Sequence, residues 1–149
     1  MLAVDVSQLI KASRAELDDR YRASPGGEIP RGRGTGTLLL GAGPEINAAA
    51  SWYARRVLWQ GKVFDPERGE LRNRITPFGI LAFVAKVYTG PSWADAKPCT
   101  VLDYSKTSVI AHWIRDEIRP VAPGLYLGVA YLGRVRVAHF ALSFAAENG

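Results

Sequence analysis

The chain has 149 residues, 48% of them hydrophobic and 22% charged. That length suits one domain with its own core, and that composition excludes a disordered chain. The net charge of +5 comes from basic residues spread along the chain and often beside acids, which argues against a nucleic-acid partner.

The opening, MLAVDVSQLIKASRAELDD, carries acids and no long apolar stretch, so it does not fit a signal peptide and a cytoplasmic protein is expected. Residues 5 to 22 predict one amphipathic helix, with Val6, Leu9, Ile10, Leu17 and Tyr21 near one face. Asp5 is placed to cap it, Gln8 stands three residues later, and SPGG stops it.

The next stretch, IPRGRGTGTLLLGAGP, is rich in glycine. A dinucleotide fingerprint fails because Thr37 stands where its third glycine belongs. A phosphate loop fails because Ala42 and Gly43 replace the lysine and hydroxyl residue after Gly41. Spacing by two places Gly32, Gly34 and Gly36 on one face of a strand instead. Such a bare face admits either a close-packed element, the alanine-rich segment that follows being the first choice, or a ligand. That segment, PEINAAASWYARRV from Pro44, predicts a second helix, since proline suits the first turn.

LWQGKVF and ELRNRIT flank DPERG and predict a hairpin. The run GILAFVAKVY reads as a strand apolar on both faces and is far shorter than the roughly 18 to 20 residues of a membrane span. TGPSWADAKP reads as a long loop and CTVLDY as the next strand. Its Cys99 is the single cysteine, which excludes an internal disulfide framework or a cysteine-built zinc site.

SKTSVIAHWIRDEIRPVAPG predicts a third helix, capped by Thr107 or Ser108, with Val109, Ile110, Trp113, Ile114 and Ile118 as its buried stripe. LYLGVAYLGRVRVAHFALSF then predicts two strands joined near Leu132 and Gly133. About seven strands and three helices result. The strands are apolar on both faces, which favours an α+β domain whose antiparallel sheet closes into a barrel, spanning residues 1 to 149.

The stretches GRGTGT, WQGKVF, LDYSKTS and GLYLG, in this order, resemble those of small bacterial lipocalin-like (calycin-type) barrel proteins with a W-x-G-K-x-F segment. The resemblance implies a lipocalin-like barrel that holds a hydrophobic small molecule.

The polar residues offer candidate chemistry. Asp103 beside Tyr104 suits acid–base work or the orienting of a carbonyl, and equally suits a capped turn with a rim phenol. His139, in an apolar strand, suits a base or donor in a cavity, or a paired structural role. Arg115 and Arg119 flank Asp116 and Glu117, either as solvated ion pairs or with one arginine turned inward to a carboxylate. Trp59, Phe83, Trp113, Tyr126, Tyr131 and Phe140 suit the walls of an apolar pocket or a packed core. Two histidines without acids at ligand spacing make no metal site, and no cofactor is expected. The leading expectation is a binder of a hydrophobic small molecule, with no nucleic acid and no membrane span, and with a homodimer compatible with the sequence. The alternative is a cofactor-free isomerase or cyclase acting on a hydrophobic carbonyl compound, with His139 or Asp103 as base and Tyr104 as acid.

Overall fold

A computed structural model describes residues 4–39, 59–75, 80–108 and 112–145. The predicted helix from Pro44 falls outside them. Within the described strands, the side chains of Trp59 and Phe83 fall outside as well.

The N-terminal helix is two helices rather than one: α1 (Val6–Lys11) and α2 (Arg14–Ala23). Asp5 caps α1 as expected, its Oδ1 accepting from the Gln8 amide at 2.8 Å while Gln8 Oε1 accepts from the Asp5 amide at 3.0 Å. Ser13 opens α2 by accepting from the Glu16 amide at 3.1 Å. A second S-x-x-E cap therefore sits inside the periodic stretch, and the apolar spacing continues across the break.

Eight strands follow: β1 (Gly32–Leu39), β2 (Trp59–Asp65), β3 (Glu70–Ile75), β4 (Ile80–Pro91), β5 (Pro98–Asp103), β6 (Ile114–Ala122), β7 (Leu125–Leu132) and β8 (Val135–Phe144). Each pairs antiparallel with the next, and β8 pairs with β1 to close the barrel. The hairpins at DPERG and Gly133 stand where expected. The predicted loop after Tyr88 is shorter, because Thr89, Gly90 and Pro91 stay paired with Thr100, Cys99 and Pro98 in turn.

The third predicted helix is not formed. Residues 114 to 122 are β6, and the Thr107 hydroxyl donates to the Val84 carbonyl instead of capping a helix. β6 conceals its period of two because both of its faces are polar: Ile114, Asp116 and Ile118 alternate with Arg115, Glu117 and Arg119. Without an apolar face to mark the alternation, the isoleucine spacing imitates a helix.

Two apolar clusters lie on the two sides of the sheet. Phe64, Leu71, Val87, Leu102, Ile118, Phe140 and Leu142 face the interior. Leu127, Val129 and Ala141 on the outer face are covered by Leu9, Leu17 and Tyr21 of the helices. The bare face of β1 points inward, where a Cβ on Gly34 would stand 2.7 Å from the Phe144 ring. At Gly34, therefore, an aromatic ring from the neighbouring strand occupies that space.

Candidate functional site

Four polar side chains meet inside the barrel. Lys62 on β2 shares its inward face with Phe64, Asn73 on β3 with Leu71, and Asp116 on β6 with Ile118, while Tyr104 follows the end of β5. The Lys62 ammonium lies 3.0 Å from Asp116 Oδ2, and it donates to Asn73 Oδ1 at 2.8 Å and to the Tyr104 hydroxyl at 2.7 Å. Asn73 Nδ2 also donates to the Tyr104 hydroxyl, at 2.7 Å. All four residues are buried, none more than 6% exposed.

Local structure explains the placement. Gly61 sits at a bulge in β2 with φ of +138°, and a Cβ there would stand 1.9 Å from the Gly34 carbonyl oxygen. Only glycine permits that approach, which brings β2 onto β1 directly before Lys62. On β7, a Cβ at Gly128 would strike the Phe140 ring at 2.2 Å. The ring lies against that bare backbone with its centroid 5.5 Å from Lys62 Nζ, forming an aromatic wall beside the charge.

The hydrogen bonds orient one another. Lys62 can only donate, so Asn73 presents its oxygen to Nζ and its NH2 to Tyr104. The phenol oxygen thus receives two hydrogen bonds, and its own proton finds no acceptor among the described residues. Burial pushes the Tyr104 phenol above its ordinary value, with Lys62 pulling the other way. Burial likewise raises Asp116 against the pull of Lys62. Burial opposes the charge on Lys62, but Tyr104 and Asp116 outweigh it and raise the lysine. The two upward shifts favour an ammonium at Lys62 and a neutral phenol at Tyr104, and at Asp116 the ion pair with Lys62 works against burial for the carboxylate.

Of the catalytic and ligand-binding candidates read from the sequence, Tyr104 alone among the described side chains belongs to this cluster. His139 and Asp103 do not face it. His139 is buried on the outer face under α2, its Nε2 2.8 Å from Asp18 Oδ1. A bulge in β8 brings Arg136 to the same carboxylate. Asp103 also lies outside the barrel. Burial raises its carboxyl, yet hydrogen bonds from the Ser105 amide at 2.9 Å and the Tyr88 hydroxyl at 3.2 Å outweigh it and hold the group below its ordinary value. Tyr126 faces inward, but its hydroxyl donates to the Glu28 carbonyl at 2.9 Å and its ring packs edge-on against Phe144, at the end of β8. Tyr131 lies on the outer face against Trp93.

Trp113, exposed, and Arg115 line an open outer groove of about 320 Å³ together with Trp93, Asp103, His112 and Arg134. Arg115 does not turn inward; it donates to Glu117 Oε2 and to the Pro91 carbonyl. The IRDEIR segment is not a solvated cluster either, since Asp116, Glu117 and Arg119 are all buried. Lys62 and Asn73 escaped the sequence reading, and Asp116 entered it only as a member of the IRDEIR ion-pair cluster, although each stands two residues from an apolar side chain on its own strand face. That alternation was the available signal.

Among the described residues the architecture defines the class: a closed, eight-stranded antiparallel barrel with two short helices against its outer wall, and a buried polar cluster within. Among the described residues no helix is long and apolar enough to cross a membrane. No family model and no curated protein matches the chain. Its structure is similar to a crystal structure of a protein from Thermomonospora curvata, with a TM-score of 0.63 and 17% identity over 95% of this chain and 96% of that one.

Proposed function

We propose that the protein binds a small, largely apolar molecule inside the barrel and orients it through a hydrogen bond from Tyr104 to a carbonyl oxygen. The observation that carries this reading is the Tyr104 hydroxyl, which accepts from Lys62 and Asn73 and keeps its own proton available. A buried donor of that kind is most stable when an acceptor meets it, and the apolar residues around it suit a hydrophobic body. The sequential strand pairing with closure of β8 on β1 fits the lipocalin-like resemblance, whose barrels hold such molecules.

A matched pair of probes tests the reading: naphthylacetone, and isobutylnaphthalene, which lacks the carbonyl. Tryptophan quenching is expected to show saturable binding of both, with the ketone tighter. Tyr104→Phe should remove the ketone's advantage, about 1 kcal/mol for one hydrogen bond, and leave the hydrocarbon unchanged. Failure of the ketone to saturate overturns the proposal.

A further inference from the structure

Asp116 meets Lys62 through Oδ2, and its Oδ1 has no hydrogen-bond partner among the described residues. Tyr104 is the complement, a hydroxyl whose oxygen is committed and whose proton is not. Both groups lie within 3.0 Å of the same Nζ, so they are close neighbours around one ammonium. Resting on the binding reading above, we infer that Asp116 and Tyr104 form an acid–base pair that moves a proton at the carbon beside the carbonyl of a bound ketone.

The step balances within the substrate and these two residues. Asp116 Oδ1 takes the proton from the carbon next to the carbonyl. The C–H electron pair becomes a carbon–carbon double bond, and the carbonyl electrons move onto oxygen, which receives the Tyr104 proton. The phenolate left behind is held by the hydrogen bonds already present from Lys62 and Asn73. Return of the Asp116 proton, to the same carbon or to the far end of an adjoining double bond, restores the ketone as Tyr104 recovers its own proton. Return to the same carbon is hydrogen exchange, return to the far end is an isomerisation, and neither needs a cofactor. Lys62 is a positioning residue here, because Asp116, Asn73 and Tyr104 surround its ammonium. Burial that lifts Asp116 above an ordinary carboxylate makes it a better base.

Naphthylacetone in heavy water tests this, since its benzylic protons exchange through the same enol. The whole protein is expected to accelerate deuterium uptake, followed by proton NMR, by about 100-fold or more over buffer. Asp116→Asn, whose amide oxygen still accepts from Lys62, should fall to the buffer rate with ketone affinity within about threefold. Tyr104→Phe should also slow exchange, about 100-fold. If Asp116→Asn does not fold, the wild-type pH profile decides, and a rate that fails to rise with the ionisation of one carboxyl overturns the assignment. Saturable binding with exchange at the buffer rate overturns the chemistry and leaves the binding reading standing. Absence of saturable binding overturns both.

Discussion

Asp116 and Glu117 are neighbours on β6, and each is buried on the opposite side of the same sheet. Asp116 points into the barrel at Lys62, 3.0 Å away, and Glu117 points outward beneath α2. Glu117 is satisfied on both oxygens: Oε1 accepts from Tyr21 at 3.0 Å and Ser92 at 2.6 Å, and Oε2 accepts from Arg115 and from the Trp93 amide at 2.8 Å. One is spent on holding the structure, while the other keeps an oxygen that meets no hydrogen-bond partner among the described residues.

Lys62→Met should therefore destabilise the protein by about 3–5 kcal/mol, because it leaves the Asp116 carboxylate buried without its cation. The double variant Lys62→Met with Asp116→Leu should recover most of that loss, since an apolar pair needs no desolvation. Urea melts of the two single variants and the double variant check it. Additive losses would show that the two residues do not interact.

Arg119 fastens α2 and the 92–97 loop to the barrel. It bonds both Asp95 oxygens at 2.7 and 2.8 Å and the carbonyls of Tyr21, Lys97 and Pro98 at 3.0 Å, using all five of its N–H groups. Arg119→Lys cannot reproduce that fork and should cost about 3 kcal/mol or more. Its hydrogen bonds hold the Asp95 carboxyl at about 2, below the ordinary 3.8. That stabilisation is complete above 3.8 and disappears as the pH falls through about 2. Acid titrations of Asp95→Asn should lack this portion of the acid limb.

His139 titrates in the opposite sense from a paired surface histidine. Burial lowers it below 6.5, Arg136 and Arg14 add to this, and Asp18 opposes it without reversing the shift. The unfolded chain therefore binds the proton first. The neutral ring's contribution is full above 6.5 and is lost as pH falls through the folded value. Denaturant midpoints at about pH 8 and about pH 5 should differ less in His139→Gln than in wild type. An NMR titration placing the His139 ring above 6.5 would contradict the assignment.

Gly61→Ala should prevent the barrel from closing, because its methyl would enter the Gly34 carbonyl. The loss exceeds the roughly 1 kcal/mol of an ordinary glycine replacement in an open strand. Gly133→Ala is the control: its φ of +62° is strained, but nothing stands within 4 Å of the added methyl. Soluble expression and thermal melts of the two should separate steric exclusion from backbone strain.

Cys99 is buried, and burial together with Glu117 pushes its thiol up to about 11. A thiol reagent at neutral pH should react with it only as fast as the protein opens, and at full rate in denaturant.

Local chemistry was readable from the residues alone. The Asp5 cap, the DPERG and Gly133 turns, the glycine face of β1 and the closure of a sheet apolar on both sides depend on near neighbours or on alternation. The Ser13 cap was local as well, but continuous apolar periodicity hid it. β6 was hidden for a different reason. Its charges are buried on both faces by partners distant in sequence, Lys62 inside and Tyr21, Ser92 and Asp95 outside, so hydrophobicity carried no trace of the strand. The same long-range pairing decided the site. The sequence marked Tyr104 as chemically capable, but nothing local told it that Lys62 and Asn73 would both donate to its oxygen, or that His139 would face outward. Barrel closure brings residues from three strands and from the end of a fourth to one point, and which face each occupies follows from register and bulges, which only the tertiary structure sets.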